Sequence, residues 1–177
     1  WYQASPVSSA TSNVIAPTSS TNKIGEYFEN YIESPNDDTS TTAPYYSLPF
    51  TAGSAKALTV GKGYVIKFSD TNAKTVTFTG GSLNTGDVSP SVTRTGTTAA
   101  KRGFNLVGNP YPSYLDWDAV YTSLPTNHNM RNAIWFRTYS GGNMTFHTYG
   151  DGDGVPVDLA TKWIAPMQAF WVKVATD

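Results

Sequence analysis

Ala133-Ile134-Trp135-Phe136-Arg137-Thr138-Tyr139-Ser140-Gly141-Gly142-Asn143-Met144-Thr145-Phe146-His147-Thr148-Tyr149 is the stretch whose reading decides the fold. Apolar and polar side chains alternate at period two on both sides of a Gly-rich break, which is the pattern of a β-hairpin. Its faces depend on its register. A three-residue loop, Ser140-Gly141-Gly142, sets Tyr139 opposite Asn143. Ile134, Phe136, Met144 and Phe146 then share one face, and Trp135, Arg137, Tyr139, Asn143, Thr145, His147 and Tyr149 share the other. A two-residue loop mixes these sets and turns His147 or Arg137 inward. Burying an unpaired polar group costs on the order of a few kcal/mol, so the three-residue register is expected. Gly142 would supply the left-handed residue of such a loop.

The same alternation recurs outward from the hairpin. Tyr64, Ile66 and Phe68 alternate with Val65, Lys67 and Ser69; Val76 and Phe78 with Thr75, Thr77 and Thr79; Phe104 and Leu106 with Asn105 and Val107; Phe170, Val172 and Val174 with Trp171 and Lys173. Turn formers separate the runs: Gly61-Lys62-Gly63, Gly80-Gly81, Asn109-Pro110 and Gly141-Gly142. Short alternating strands with frequent turn signals predict an all-β chain, an antiparallel β-sandwich of jelly-roll-like form. One short helix is expected at Asp116–Ser123, capped by Asp116 and stopped by Pro125. The expected core is Tyr64, Ile66, Phe68, Val76, Phe78, Phe104, Leu106, Ile134, Phe136, Phe146, Phe170 and Val172. Residues 1–177 read as a single domain. Its N-terminal part, residues 1–55, is rich in Ser, Thr and Pro, with long loops. Within it, Gly25–Glu33 fits a strand or a short helix, and Ser34–Ala43 a loop.

Composition removes whole classes. The 177 residues hold 12 Lys+Arg against 13 Asp+Glu, a net charge of -1, and no basic run that could neutralise a row of phosphates, so no nucleic-acid partner is expected. Only 14% of residues are charged, against about 25% in an average domain; 24 Thr and 17 Ser fill the difference. No apolar stretch approaches the roughly 20 residues of a membrane span. With no Cys, disulfides, Cys-ligated zinc and iron–sulfur sites are excluded. The chain begins at Trp1 without Met or a signal-peptide pattern, which reads as a piece of a longer protein.

Two segments are more distinctive than any periodicity: Gly103-Phe104-Asn105-Leu106-Val107-Gly108-Asn109-Pro110-Tyr111-Pro112-Ser113-Tyr114-Leu115-Asp116-Trp117-Asp118, and Ile164-Ala165-Pro166-Met167-Gln168-Ala169-Phe170-Trp171-Val172-Lys173. With Gly61-Lys62-Gly63-Tyr64 and Gly81-Ser82-Leu83-Asn84-Thr85-Gly86, they resemble a module of Bacteroidota type IX secretion system cargo, the region lying upstream of the C-terminal sorting domain. The resemblance covers most of residues 57–174, and Trp1–Val7 resembles that module's first strand. It implies an extracellular or cell-surface location and neighbouring domains on the same polypeptide, and no chemistry. Physically, Asn109-Pro110-Tyr111-Pro112 is stiff, and one of its X–Pro bonds is a candidate for cis. Trp117 is expected under this turn, with Asp116 and Asp118 on nearby backbone N–H groups; contact with a ligand is the competing role.

No catalytic constellation is legible. The two His residues, His128 and His147, have no Ser or carboxylate at a triad-like spacing, and there is no G-x-S-x-G elbow, so no enzyme is expected. Asp151 and Asp153 in Gly150-Asp151-Gly152-Asp153-Gly154, with Asp158, offer three carboxylates to calcium; the same Asp-Gly pairs also make plain turns. On the hairpin, Trp135, Arg137, Tyr139, Asn143 and His147 combine flat rings with hydrogen-bonding groups, the mixture that binds sugars. Residues 1–55 could equally cover this face and make it a second core, the reading preferred for Trp135 itself. Trp163 and Trp171 are assigned to packing, Trp171 needing a cover. Two functions follow: a non-catalytic extracellular binding or adhesion module for a polysaccharide, or a structural, self-assembling spacer.

Overall fold

A computed structural model describes residues 2–12, 27–31, 46–47, 57–67, 77–95, 102–140, 143–150 and 160–175. In chain order the strands are β1 (Tyr2–Gln3), β2 (Thr11–Ser12), β3 (Tyr27–Tyr31), β4 (Tyr46–Ser47), β5 (Tyr64–Lys67), β6 (Phe78–Thr79), β7 (Phe104–Gly108) and β8 (Leu115–Asp116); helix α1 (Trp117–Ser123) follows, then β9 (Ala133–Ser140), β10 (Asn143–Gly150), β11 (Trp163–Ile164) and β12 (Ala169–Lys173). Two four-stranded antiparallel sheets carry the architecture, ordered β1-β5-β3-β4 and β10-β9-β12-β7. Two-stranded ribbons β8–β11 and β2–β6 complete it. The all-β antiparallel expectation holds, with one short helix; the jelly-roll connectivity is not established by the described strands. Within Gly25–Glu33, Tyr27–Tyr31 forms strand β3.

The second sheet is buried on both faces. Trp171 pairs with Leu106 on one side and Trp135 on the other. This row faces the first sheet, where Leu106, Ala169 and Trp171 meet Tyr2, Val65, Phe104 and Trp135. The opposite face carries Val107, Ile134, Phe136, Phe170 and Val172 against Trp117 and Ile164. Trp171, 5% exposed, therefore has the cover it was expected to need. The division of the core differs from the expected one: Leu106 and Phe104 lie between the sheets, while Val107 joins the Ile134–Phe170 face. A strand covered on both sides has no wet face to mark its phase.

The hairpin register also departs from expectation. Asn143 pairs with Ser140 and His147 with Phe136, so two residues lie between the strands rather than three. The one-residue change exchanges every side chain of β10 between faces. His147 and Tyr149 share the Ile134–Phe136 face, and Phe146 shares the Trp135–Arg137 face. Phe146 is 50% exposed, not core, with the Arg137 guanidinium 5.6 Å from its ring centre. The desolvation argument against this register fails because β10 is outermost in its sheet among the described strands: His147 is only half-buried. Ile66, Phe68 and Val76 of the expected core have side chains outside the described residues.

The motif residues lock the layers together. Asn109, fully buried, donates from Nδ2 to the carbonyls of Ser113 (2.8 Å), Ile164 (3.1 Å) and Ala165 (3.1 Å) and accepts from the Tyr111 N–H (2.9 Å). Asn84 donates to the carbonyls of Ser5 (3.3 Å) and Pro110 (2.8 Å), tying the N-terminal segment to the same turn. Gln168 accepts from the Ala165 N–H at 3.1 Å. Gly108 sits where a Cβ would lie 2.1 Å from Ala4 Cβ, so the first segment reaches β7 only because no side chain intervenes. No described peptide bond is cis.

Candidate functional surface

Helix α1 starts because Asp116, in extended conformation, accepts from the Asp118 N–H at 3.0 Å. It stops at Leu124, before Pro125. Trp117 is driven into the core, 2% exposed, edge-on to Phe170 at 6.1 Å, with its Nε1–H on Asn132 at 3.1 Å. Asp118 departs from the expectation that it would satisfy backbone groups: it accepts the Tyr149 hydroxyl at 3.0 and 3.1 Å. Lys162 closes the network at 3.0 Å from Asp116 and 3.4 Å from Asp118. The hydrogen bond from Lys162 is the main reason the Asp116 carboxyl is held below its ordinary range, and the Asp116 hydrogen bond in turn raises Lys162. Burial, then Asp118, pushes the Tyr149 phenol up. Both carboxylates are thus engaged by the Lys162 ammonium, and Asp118 also by the Tyr149 phenol.

Folding of a chain with a depressed Asp116 gains from its ionisation above the unfolded value of 3.8 and loses that gain as pH falls through the lower folded value. Asp116→Asn keeps a helix cap but removes the charge. We expect a shallower loss of urea stability between neutral and acidic pH in this variant than in the wild type, checked by unfolding midpoints at both; parallel losses would deny the ion pair any role.

Ribbon β8–β11 carries the exposed part of this surface. Ile164 pairs with Leu115 and Trp163 with Asp116. Ile164 is fully buried, so its neighbour Trp163 turns outward, 51% exposed, with Lys162 Nζ 5.0 Å from its ring centre. Tyr114, next to Leu115, is 65% exposed. By alternation Tyr114 and Asp116 share a face, the face that Trp163 occupies across the ribbon. Trp163 was expected in the packing; it is instead the largest ring on the surface of this ribbon. The signal was present in the alternation of Lys162-Trp163-Ile164, but a two-residue strand is too short to show which phase faces the core.

The five hairpin residues are not brought together as one face. Trp135 is half-buried, edge-on to Phe104 at 5.3 Å between the sheets. Arg137 on the same face donates to the Tyr2 hydroxyl at 2.9 Å. Tyr139 follows them by register, and its side chain is outside the described residues, as is that of Asn143. Asn143 and His147 lie on the opposite face by pairing. Asp151, Asp153 and Asp158, the candidate calcium ligands, fall outside the described residues. Among those described, no group of three or more His, Asp and Glu could hold a metal ion, and no helix is long and apolar enough to cross a membrane.

Fold and surface together define an all-β module of stacked antiparallel sheets that presents aromatic rings on a short outer ribbon. The chain belongs to a family described as "Domain of unknown function (DUF8693)", whose model matches residues 1–174. No curated protein matches the chain, and no solved structure does.

Proposed function

We propose that the chain is a non-catalytic binding module of a secreted or surface-attached protein, with a polysaccharide as its ligand. One observation carries this reading: Trp163 on the ribbon and Tyr114 at the entry to β8 expose their rings, 51% and 65%, while Ile164 anchors the ribbon in the core. Flat rings stack on the apolar C–H faces of sugars, and the ribbon's rigidity means that little order must be imposed on binding. Asp116, Asp118 and Lys162 beside the rings supply acceptors and donors for sugar hydroxyls. The extracellular location rests on the resemblance to type IX cargo and belongs to the same proposal. In a pull-down with a panel of insoluble polysaccharides, the wild type is retained, and Trp163→Ala combined with Tyr114→Ala abolishes retention. Because both rings are exposed, the melting temperature should stay close to the wild-type value, the change amounting to about 0.5 kcal/mol or less. Retention of the double variant, or retention of neither protein on any polymer, removes the proposal.

A structural, self-assembling role is favoured instead by β10, an eight-residue strand that is outermost in its sheet among the described strands and has no Lys, Arg, Asp, Glu or Pro. Such edges pair readily with other chains. Sedimentation of the chain across a concentration series separates the two readings: a concentration-dependent dimer that Thr145→Lys disperses supports assembly.

A further inference from the structure

A cavity of about 390 Å³ opens beside β7. Both of its walls are pinned to that strand. On one side Gly63 N–H donates to the Leu106 carbonyl (3.1 Å) and Gly108 N–H to the Gly61 carbonyl (3.0 Å). Gly61, at φ +77°, lets this loop approach Val88 and Pro90. On the other side the Asn105 amide binds Thr93 both ways, accepting from its N–H at 3.0 Å and donating to its carbonyl at 2.8 Å. The space is therefore preformed, and its volume lies at the small end of the range for small-molecule sites, roughly 300–1,000 Å³.

The lining is chemically one-sided. Val60 and Pro90 give an apolar wall; Thr59, Ser91 and Thr93 bring hydroxyls; among the described residues Lys62 is the single charged one lining the cavity, and no carboxylate lines it. Among the described residues no acidic group pairs with Lys62, and burial alone lowers its pKa. A half-buried ammonium without a counter-charge favours an anion beside it.

We propose that this cavity binds one residue of an acidic sugar, with Lys62 on the carboxylate, the hydroxyls of Ser91 and Thr93 on sugar hydroxyls, and Val60 and Pro90 against an apolar ring face. The site shares no residue with the Tyr114–Trp163 ribbon, so it stands or fails apart from the reading given to that ribbon.

The test is an NMR titration of the full 177-residue chain with sodium glucuronate, glucose and sodium sulfate in parallel. Glucuronate should shift amides in residues 59–63 and 91–95 and bind at least about tenfold more tightly than glucose, the worth of a charge-assisted hydrogen bond. Lys62→Gln should weaken glucuronate by a similar factor without lowering the melting temperature, since it removes a charge that burial opposes. Thr93→Val should weaken glucuronate but leave sulfate unchanged. Equal binding of glucuronate and glucose overturns the proposal, as does full binding by Lys62→Gln or absence of shifts in these segments. Sulfate binding as tightly as glucuronate, with Thr93→Val silent, overturns the sugar part and leaves an anion site. The wild-type comparison of the three ligands requires no variant, so it decides the proposal even if a substituted chain fails to fold.

Discussion

Asn109→Ala should lower stability by about 3 kcal/mol or more, although it removes only a small polar side chain. The residue is completely buried and its amide makes four hydrogen bonds. Alanine leaves the Tyr111 N–H and the Ser113 carbonyl without the partner they have here and takes one from the Ile164 carbonyl and from the Ala165 carbonyl, which keeps the Gln168 N–H at 3.1 Å; each buried orphan costs roughly 1–3 kcal/mol, less where water can reach it, as at Ser113. At about 2–4 °C per kcal/mol for a chain of this size, the melting temperature should fall by roughly 10 °C. The urea midpoint should fall with unchanged slope, the mark of lost stability without a change in exposed surface. Asn109→Asp should be at least as damaging, because it replaces the Nδ2 donor by an oxygen aimed at three carbonyl oxygens. Asn127→Ala, in the exposed loop after α1, is the control and should be nearly silent. A mild Asn109→Ala would mean that the turn is held by its prolines rather than by the amide.

Local chemistry was legible in the sequence and long-range chemistry was not. The start of α1 could be read because Asp116 caps a backbone group two residues away. The alternation Phe170-Trp171-Val172 could be read because every residue of β12 meets a packed layer. Asn109 gave no comparable signal. Two of its carbonyl partners, on Ile164 and Ala165, lie 55 and 56 residues along the chain, and an Asn before Pro reads equally well as a surface turn. Trp163 and Trp117 show the same limit from the surface side. Each follows a charged residue, Asp116 before Trp117 and Lys162 before Trp163, yet Trp163 is 51% exposed and Trp117 2%. Which of them is a candidate ligand contact depends on what packs above each, and that is set by the sheet order.

The division of burial between Phe136 and Phe146 has a large and one-sided consequence. Phe136 is 8% exposed and packs against Phe170 at 6.3 Å, whereas Phe146 is 50% exposed. Truncating Phe136 to Ala should cost about 3–5 kcal/mol, the sum of lost transfer free energy and the cavity left behind. Truncating Phe146 removes a half-exposed ring and its stacking with Arg137, worth about 0.5–1 kcal/mol at an exposed site. The two residues have the same side chain and sit on adjacent strands of one hairpin, so composition and propensity cancel in the comparison. A three-residue loop would place both on one buried face and make the two losses alike. The observed pairing of Ser140 with Asn143 sends them to opposite faces. Urea unfolding of Phe136→Ala and Phe146→Ala should therefore differ by about 2 kcal/mol or more, at the lower limit of the core truncations. Equal losses would overturn the two-residue register, and with it the placement of His147 and Tyr149 on the core side of β10.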